Sequence, residues 1–383
     1  MSTGRKGARG KRKEAGSSNP FPLSPDPNLP FVPTEVARRL LAWYGRKGRD
    51  LPWRQTRDPY RIWVSEIMLQ QTTVAAVIPY YERFLQRFPT VERLASASLD
   101  DVIAAWAGLG YYSRARNLHR TACEVVATSN GEFPKTLDKL VALPGIGRST
   151  AGAILAIAFD QPAPILDGNV RRVQVRLFAW RDDPRSSKAE KQLWERAEQL
   201  TPDDAAHDYT QAIMDLGAMI CVPRQPLCES CPINELCRAY AQGMAEDLPV
   251  KLKKGALAVR RQVAVVVVSG HKLLLKQRPV EGFLGGLWEF PTADCPENLD
   301  AEDVASGLLQ DLQLKGKLSG LVDVSHVYSH FKLDLAVFIA RADPTPVVAE
   351  KTQGQWVPGE DVASFALHGA HKKILPALKL AGQ

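Results

Sequence analysis

The chain has 383 residues, 45% of them hydrophobic, enough for two domains that each bury a core. Apolar runs such as residues 263–268 are far too short to span a bilayer, and the N-terminus lacks the apolar segment of a secretory leader, so a cytosolic enzyme is expected. The formal net charge is +7, but Arg5, Lys6, Arg9, Lys11, Arg12 and Lys13 stand against Glu14 alone, so five of those charges sit in the opening stretch and composition predicts no basic groove in the folded part.

Residues 1–30 are basic and then rich in Pro, Ser and Asn, without periodicity, and read as a disordered tail. The tail is either an arm with salt-sensitive affinity for a polyanion or a solvated segment without function. From residue 31 to about 240 the pattern is helical. Val74, Val77, Ile78, Tyr81, Phe84 and Leu85 recur at three and four residues, as one helix face requires, and Phe88-Pro89 stops that helix. Ser98 reads as an N-cap, Asp101 as a first-turn acid, and Gly108 as the close of the next helix. Further helices are expected over residues 137–143, 151–159 and 209–220. Residues 241–259 are polar and read as a linker. Beyond them, residues 262–268, 272–276 and 333–340 are β-rich, Ser269-Gly270 is a hairpin turn, and 301–312 and 372–380 are helical, so residues 260–383 form an α+β domain.

Four of the six cysteines crowd into Cys221-x6-Cys228-x2-Cys231-x5-Cys237. In a chain without a secretory leader this is a metal site, and four thiolates can hold a structural zinc or a 4Fe–4S cube. Cys123 and Cys295 stand alone and are expected to be buried small hydrophobes. In Leu143-Pro144-Gly145-Ile146-Gly147-Arg148-Ser149-Thr150-Ala151, two glycines between helices form a tight turn that opens onto a helix N-terminus. Gly145, Gly147 and Arg148 thus form an anion site suited to a DNA phosphate. Glu66 lies in the apolar stretch Trp63-Val64-Ser65-Glu66-Ile67-Met68-Leu69-Gln70-Gln71-Thr72, where burial would raise its pKa and let it act as a general acid. A surface glutamate is the plainer alternative. Asp167, in Ile165-Leu166-Asp167-Gly168-Asn169-Val170, is either an N-cap or the carboxylate partner of Glu66. An acid plus a carboxylate is the toolkit of glycoside cleavage.

Taken together, these segments and Gly108-Leu109-Gly110-Tyr111-Tyr112-Ser113-Arg114-Ala115-Arg116 resemble the catalytic domain of MutY-type adenine DNA glycosylases, in the helix-hairpin-helix/endonuclease III superfamily. The resemblance implies an all-α helix-hairpin-helix core with a 4Fe–4S cluster on the four cysteines. It also implies a monomeric, monofunctional base-excision-repair enzyme, cytoplasmic and nucleoid-associated if bacterial. This enzyme would act on double-stranded DNA and release adenine mispaired with 8-oxoguanine or guanine. By the same resemblance Glu66 protonates adenine, Asp167 stabilises the sugar cation, and Asn169, Asp215 and Ser149 are further active-site positions. Trp53 and Arg54 line the adenine pocket, and Gln71 and Tyr111 wedge into the duplex.

Residues 260–383 resemble the Nudix-like domain of that family, partly through Gly285-Gly286-Leu287-Trp288-Glu289-Phe290-Pro291. Residues 292–314 contain neither Arg-Glu nor Glu-Glu, so pyrophosphate hydrolysis is not expected. Tyr328-Ser329-His330 falls where the family has an 8-oxoguanine-contacting Phe-Ser-His loop; the tyrosine hydroxyl needs water or a partner. The rival enzyme is a bifunctional endonuclease III-type lyase, which requires a Schiff-base lysine where this chain has Ser149. A non-catalytic DNA-binding module would need neither carboxylate.

Overall fold

The computed structural model describes residues 32–250, 257–342 and 354–380. The basic tail lies outside them. The first part is helical: α1 Pro33–Lys47, α2 Pro59–Leu69, α3 Val74–Arg87, α4 Val91–Ala95, α5 Leu99–Trp106, α6 Ser113–Ser129, α7 Leu137–Val141, α8 Arg148–Phe159, α9 Gly168–Leu177, α10 Ser187–Leu200, α11 Ala206–Asp215 and α12 Arg238–Ala241. Helix α2 starts at Pro59, and its N-cap Asp58 accepts from the Tyr60 amide. Ser98 caps α5 by accepting from the Asp101 amide at 3.1 Å. Val77, Tyr81 and Phe84 of α3 are buried, with Val74, Ile78 and Leu85 packed partly against the same core.

The hairpin between α7 and α8 needs its glycines. Gly145 has φ +78°, and a Cβ there would lie 2.7 Å from Asn117. Helix α8 begins at Arg148, three residues earlier than expected, because Gly147 serves as its N-cap. The stretch expected as one helix over 209–220 begins at Ala206 and ends as a π-turn, Leu216–Ile220, that hands the chain to Cys221.

The second part is a mixed seven-stranded sheet: β1 Ala258–Ser269, β2 Lys272–Gln277, β3 Trp288–Glu289, β4 Thr292–Asp294, β5 Leu318–Val327, β6 Phe331–Arg341 and β7 Gly354–Pro358. The order is β3-β2-β1-β6-β5, with β4 beside β1 and β7 beside β2. Strands β1 and β6 pair in parallel; the other pairs are antiparallel. Strand β1 starts four residues before 262, inside the expected linker. From Val263 onward it is buried on both faces. Val263, Val265 and Val267 pack under α13 Ala301–Asp311, while Ala264, Val266 and Val268 pack with α14 Gly369–Lys372 and α15 Leu375–Leu380. The helix expected over 372–380 is broken between α14 and α15. Pro376 has no amide hydrogen to bond back to the Lys372 carbonyl, and it falls in the first turn of α15, where none is needed. Leu287 and Ala366 of the second part join the core of the helical part.

Candidate active site and iron–sulfur centre

One cavity of about 140 Å³ opens between α2, α9 and α11, lined by Trp53, Arg54, Glu66, Asp167, Asn169 and Gln211 among others. That volume is comparable with the ~150 Å³ that accommodates a benzene ring in an apolar interior. Glu66 projects into it from the middle of α2, between Ser65 and Ile67, which are buried. Burial pushes the Glu66 carboxyl up to about 7, the nearby Asp167 charge pushes the same way, and Arg54 opposes them. Asp167 is both N-cap and cavity residue. Its Oδ1 accepts from the amides of Asn169 at 2.9 Å and Val170 at 2.7 Å. Burial raises its pKa as well, against the pull of those two amides and of Arg172 and Arg171.

Asp215 does not line the cavity. It is fully buried, and both its oxygens are taken by Arg54 and Arg49. Burial alone would raise its pKa, but the two guanidinium groups hold it below the usual carboxylate range. Arg54 is therefore an oriented wall of the cavity rather than a free cation. Trp53 is buried edge-on against Tyr81, with ring centroids 5.3 Å apart. Ser149 is also absent from the lining; its hydroxyl accepts the Leu166 amide at 3.1 Å, one residue before Asp167.

Gln71 and Tyr111 are exposed and both have positive φ, 57° and 49°, which is strained for non-glycine residues. Buried Arg114 supports both bends. It donates to the carbonyls of Ile67, Met68 and Gln70 before one, and of Leu109 and Gly110 before the other. Arg148, expected at a phosphate, lies over Trp194 and pairs with Glu198 at 2.6 Å. Tyr328 packs between Phe283 and Phe331, and its hydroxyl meets His368 Nδ1 at 3.0 Å. Ser329 and His330 are exposed at the β5–β6 tip, and Ser329 Oγ lies 2.8 Å from the Tyr111 hydroxyl.

The four clustered cysteines line one apolar cavity with Val173, Leu177 and Ile233. The surroundings fit a polynuclear thiolate group. Arg176 is fully buried and has no carboxylate partner among the described residues; it donates to the Val222 and Leu248 carbonyls and lies 3.3 Å from Cys221 Sγ. A buried cation there calls for an anion, which four metal-bound thiolates supply. Arg172 ties this loop to the other cavity, donating to the Cys221 and Gly217 carbonyls and to Asn169 Oδ1. Cys123, expected to be buried, is only partly buried on α6, its sulfur facing the Ala95 carbonyl at the end of α4 and His119 one turn away on α6; Cys295 is buried.

Three family models match this chain: HhH-GPD superfamily base excision DNA repair protein over residues 64–199, iron–sulfur binding domain of endonuclease III over 221–237, and NUDIX domain over 262–377. The adenine DNA glycosylase of Rattus norvegicus is 39% identical, covering 89% of this chain and 77% of its own length. That of Buchnera aphidicola (subspecies Schizaphis graminum) is 36% identical over 89% and 97%. The chain belongs to the adenine DNA glycosylase family. A thermostable thymine-DNA glycosylase structure superposes with TM-score 0.50 and 31% identity, covering 55% of this chain and 97% of that one.

As an adenine DNA glycosylase, the chain is a base-excision-repair N-glycosylase with a helix-hairpin-helix core, a 4Fe–4S cluster on its four cysteines and a Nudix-like second domain. Its substrate is DNA. Gln211 is a polar cavity residue that escaped the sequence reading. It is 2% exposed; its amide nitrogen is used by His207, and its Oε1 has no partner among the described residues. A lone glutamine in a helix carries no motif, and only the orphaned oxygen beside the cavity singles it out.

Proposed function

We propose that the cavity takes an adenine flipped out from opposite 8-oxoguanine or guanine, with Glu66 as general acid and Asp167 as the carboxylate that stabilises the sugar. The observation carrying this reading is two carboxyls facing one cavity in unlike settings, Glu66 on the apolar face of α2 and Asp167 capped by two backbone amides. Glu66, near 7, can hold a proton at neutral pH, and it donates to adenine N7 as the glycosidic bond breaks. Asp167, held by two amides at a helix N-terminus, offsets the positive charge growing at C1′. Gln211 Oε1 accepts from the exocyclic amine of adenine, a contact that satisfies a buried oxygen. Trp53 and Arg54 wall the pocket, Asn169 sits beside Asp167, and Asp215 fixes Arg54.

Gln71 and Tyr111 fill the gap left by the flipped base, and Gly145, Gly147 and Arg148 approach the backbone. Tyr328, Ser329 and His330 inspect the opposite base. Ser149 offers no amine for an imine, so the product is an intact abasic site. The enzyme works as a monomer, in the cytoplasm or on the nucleoid. Residues 31–240 carry the catalysis and 260–383 the lesion reading.

Glu66→Gln and Asp167→Asn test the assignment. Each should abolish or severely impair adenine release from a mispaired duplex while leaving duplex binding intact. Near-normal turnover by Glu66→Gln would remove Glu66 from the mechanism.

A further inference from the structure

Behind Tyr328, a chain of polar groups that the reaction above leaves unused runs beneath the β5–β6 tip. Tyr328 Oη lies 3.0 Å from His368 Nδ1, His368 Nε2 lies 3.3 Å from Glu289 Oε2, and Arg278 Nη1 donates to that same oxygen at 2.6 Å. His368 is 3% exposed and Glu289 7%. The direction of the chain follows from proton counting. Burial works to raise the Glu289 carboxyl, but His368 and Arg278 hold it below its ordinary range. An ionised carboxylate only accepts, so His368 Nε2 carries a proton and donates to Glu289, while His368 Nδ1 and the Tyr328 hydroxyl share the next bond. The phenol keeps its proton, being pushed up to about 12 by burial.

Glu289, His368 and His371 lie close enough together to suggest a metal ion. The hydrogen bonds argue for a relay instead. His371 Nδ1 already accepts the Phe290 amide at 2.9 Å, which leaves its proton on Nε2, and Arg278 already places a positive charge on Glu289.

We propose that His368 and Glu289 are positioning residues for reading the base opposite adenine, acting through Tyr328. The inference rests on the function proposed above. Tyr328 closes the tip turn, its amide donating to the Phe331 carbonyl at 2.9 Å. The next residue, Ser329, meets Tyr111 of the helical part. Fixing the phenol therefore fixes Ser329 and His330, and with them the contact between the two parts of the enzyme. Without the hydrogen bond the Tyr328 ring keeps its partners Phe283 and Phe331, so the fold remains, but the phenol can turn within that packing and the tip it anchors is held less tightly.

The test uses the full-length holoenzyme and kcat/KM for adenine opposite 8-oxoguanine and opposite guanine. An asparagine amide reaches about as far as Nδ1, and a glutamine amide about as far as Nε2. His368→Gln should thus lose the bond to Tyr328 and His368→Asn should restore it. The expected result is a five- to tenfold fall in the 8-oxoguanine:guanine ratio for His368→Gln, about the worth of one buried hydrogen bond. His368→Asn should stay near wild type, and Tyr328→Phe combined with His368→Gln should fall no further than either alone. An unchanged ratio in His368→Gln, fully additive losses, or equal loss on both substrates would overturn the relay. A wild-type enzyme with no preference for 8-oxoguanine would overturn the lesion-reading function itself, and the relay with it.

Discussion

Arg54 grips Asp215 with two nitrogens, Nη1 to Oδ2 at 2.7 Å and Nη2 to Oδ1 at 2.6 Å. With Arg49 on the same carboxylate, Asp215→Asn leaves two cations facing a neutral amide in the interior. Breaking such a pair costs about 3–5 kcal/mol, so the variant should melt well below wild type at pH 7. Because the folded pKa of Asp215 is depressed, that stabilisation is present above the unfolded carboxylate pKa and is lost only as pH falls through the folded one. The deficit should therefore be as large at pH 8 as at pH 6. Thermal unfolding at both values checks this.

Glu66 must be protonated to act, and its pKa is raised to about 7. The single-turnover rate should be highest below that value and fall about tenfold per unit well above it. Asp167 must be ionised, so the rate should also fall toward acid. A pH–rate profile flat from 6 to 9 would contradict the assignment of Glu66.

The cysteine loop contains only short helical turns between Cys221 and Cys237 and depends on its metal for shape. The purified protein should be brown and contain iron and acid-labile sulfide. Cys228→Ser should lower the yield of folded protein more than it alters the rate of what folds. Iron analysis and circular dichroism of the two proteins measure this.

Ser149 accepts the Leu166 amide, and α8 aims it toward the segment that carries Asp167. Ser149→Ala should cost about 1 kcal/mol by freeing that amide. Ser149→Lys should gain strand cleavage at the abasic site and become trappable by borohydride, provided its amine is partly neutral. Adenine release without any trapped adduct would show that the position does not reach C1′.

The parts of the site carried by contiguous segments were legible in the sequence. Glu66 stood out in an apolar helix, Asp167 at a helix start, and the four cysteines by spacing alone. What escaped depends on partners far along the chain. The role of Asp215 as a clamp requires Arg54, 161 residues away, and the hydroxyl of Tyr328 finds His368, 40 residues away. The sheet was partly legible for the same reason. The valines of β1 announce a buried strand, whereas β5 shows no regular alternation, with Val324 its one buried residue, and is defined by its pairing with β6.

The most direct measurement is base release from a defined duplex. The enzyme is incubated with DNA holding one adenine opposite 8-oxoguanine, then the DNA is treated with alkali and its strands are sized. Breakage only at that adenine, only after alkali, and absent with Glu66→Gln is the result predicted here. Breakage before alkali, breakage at the 8-oxoguanine strand, or full activity of Glu66→Gln would contradict it.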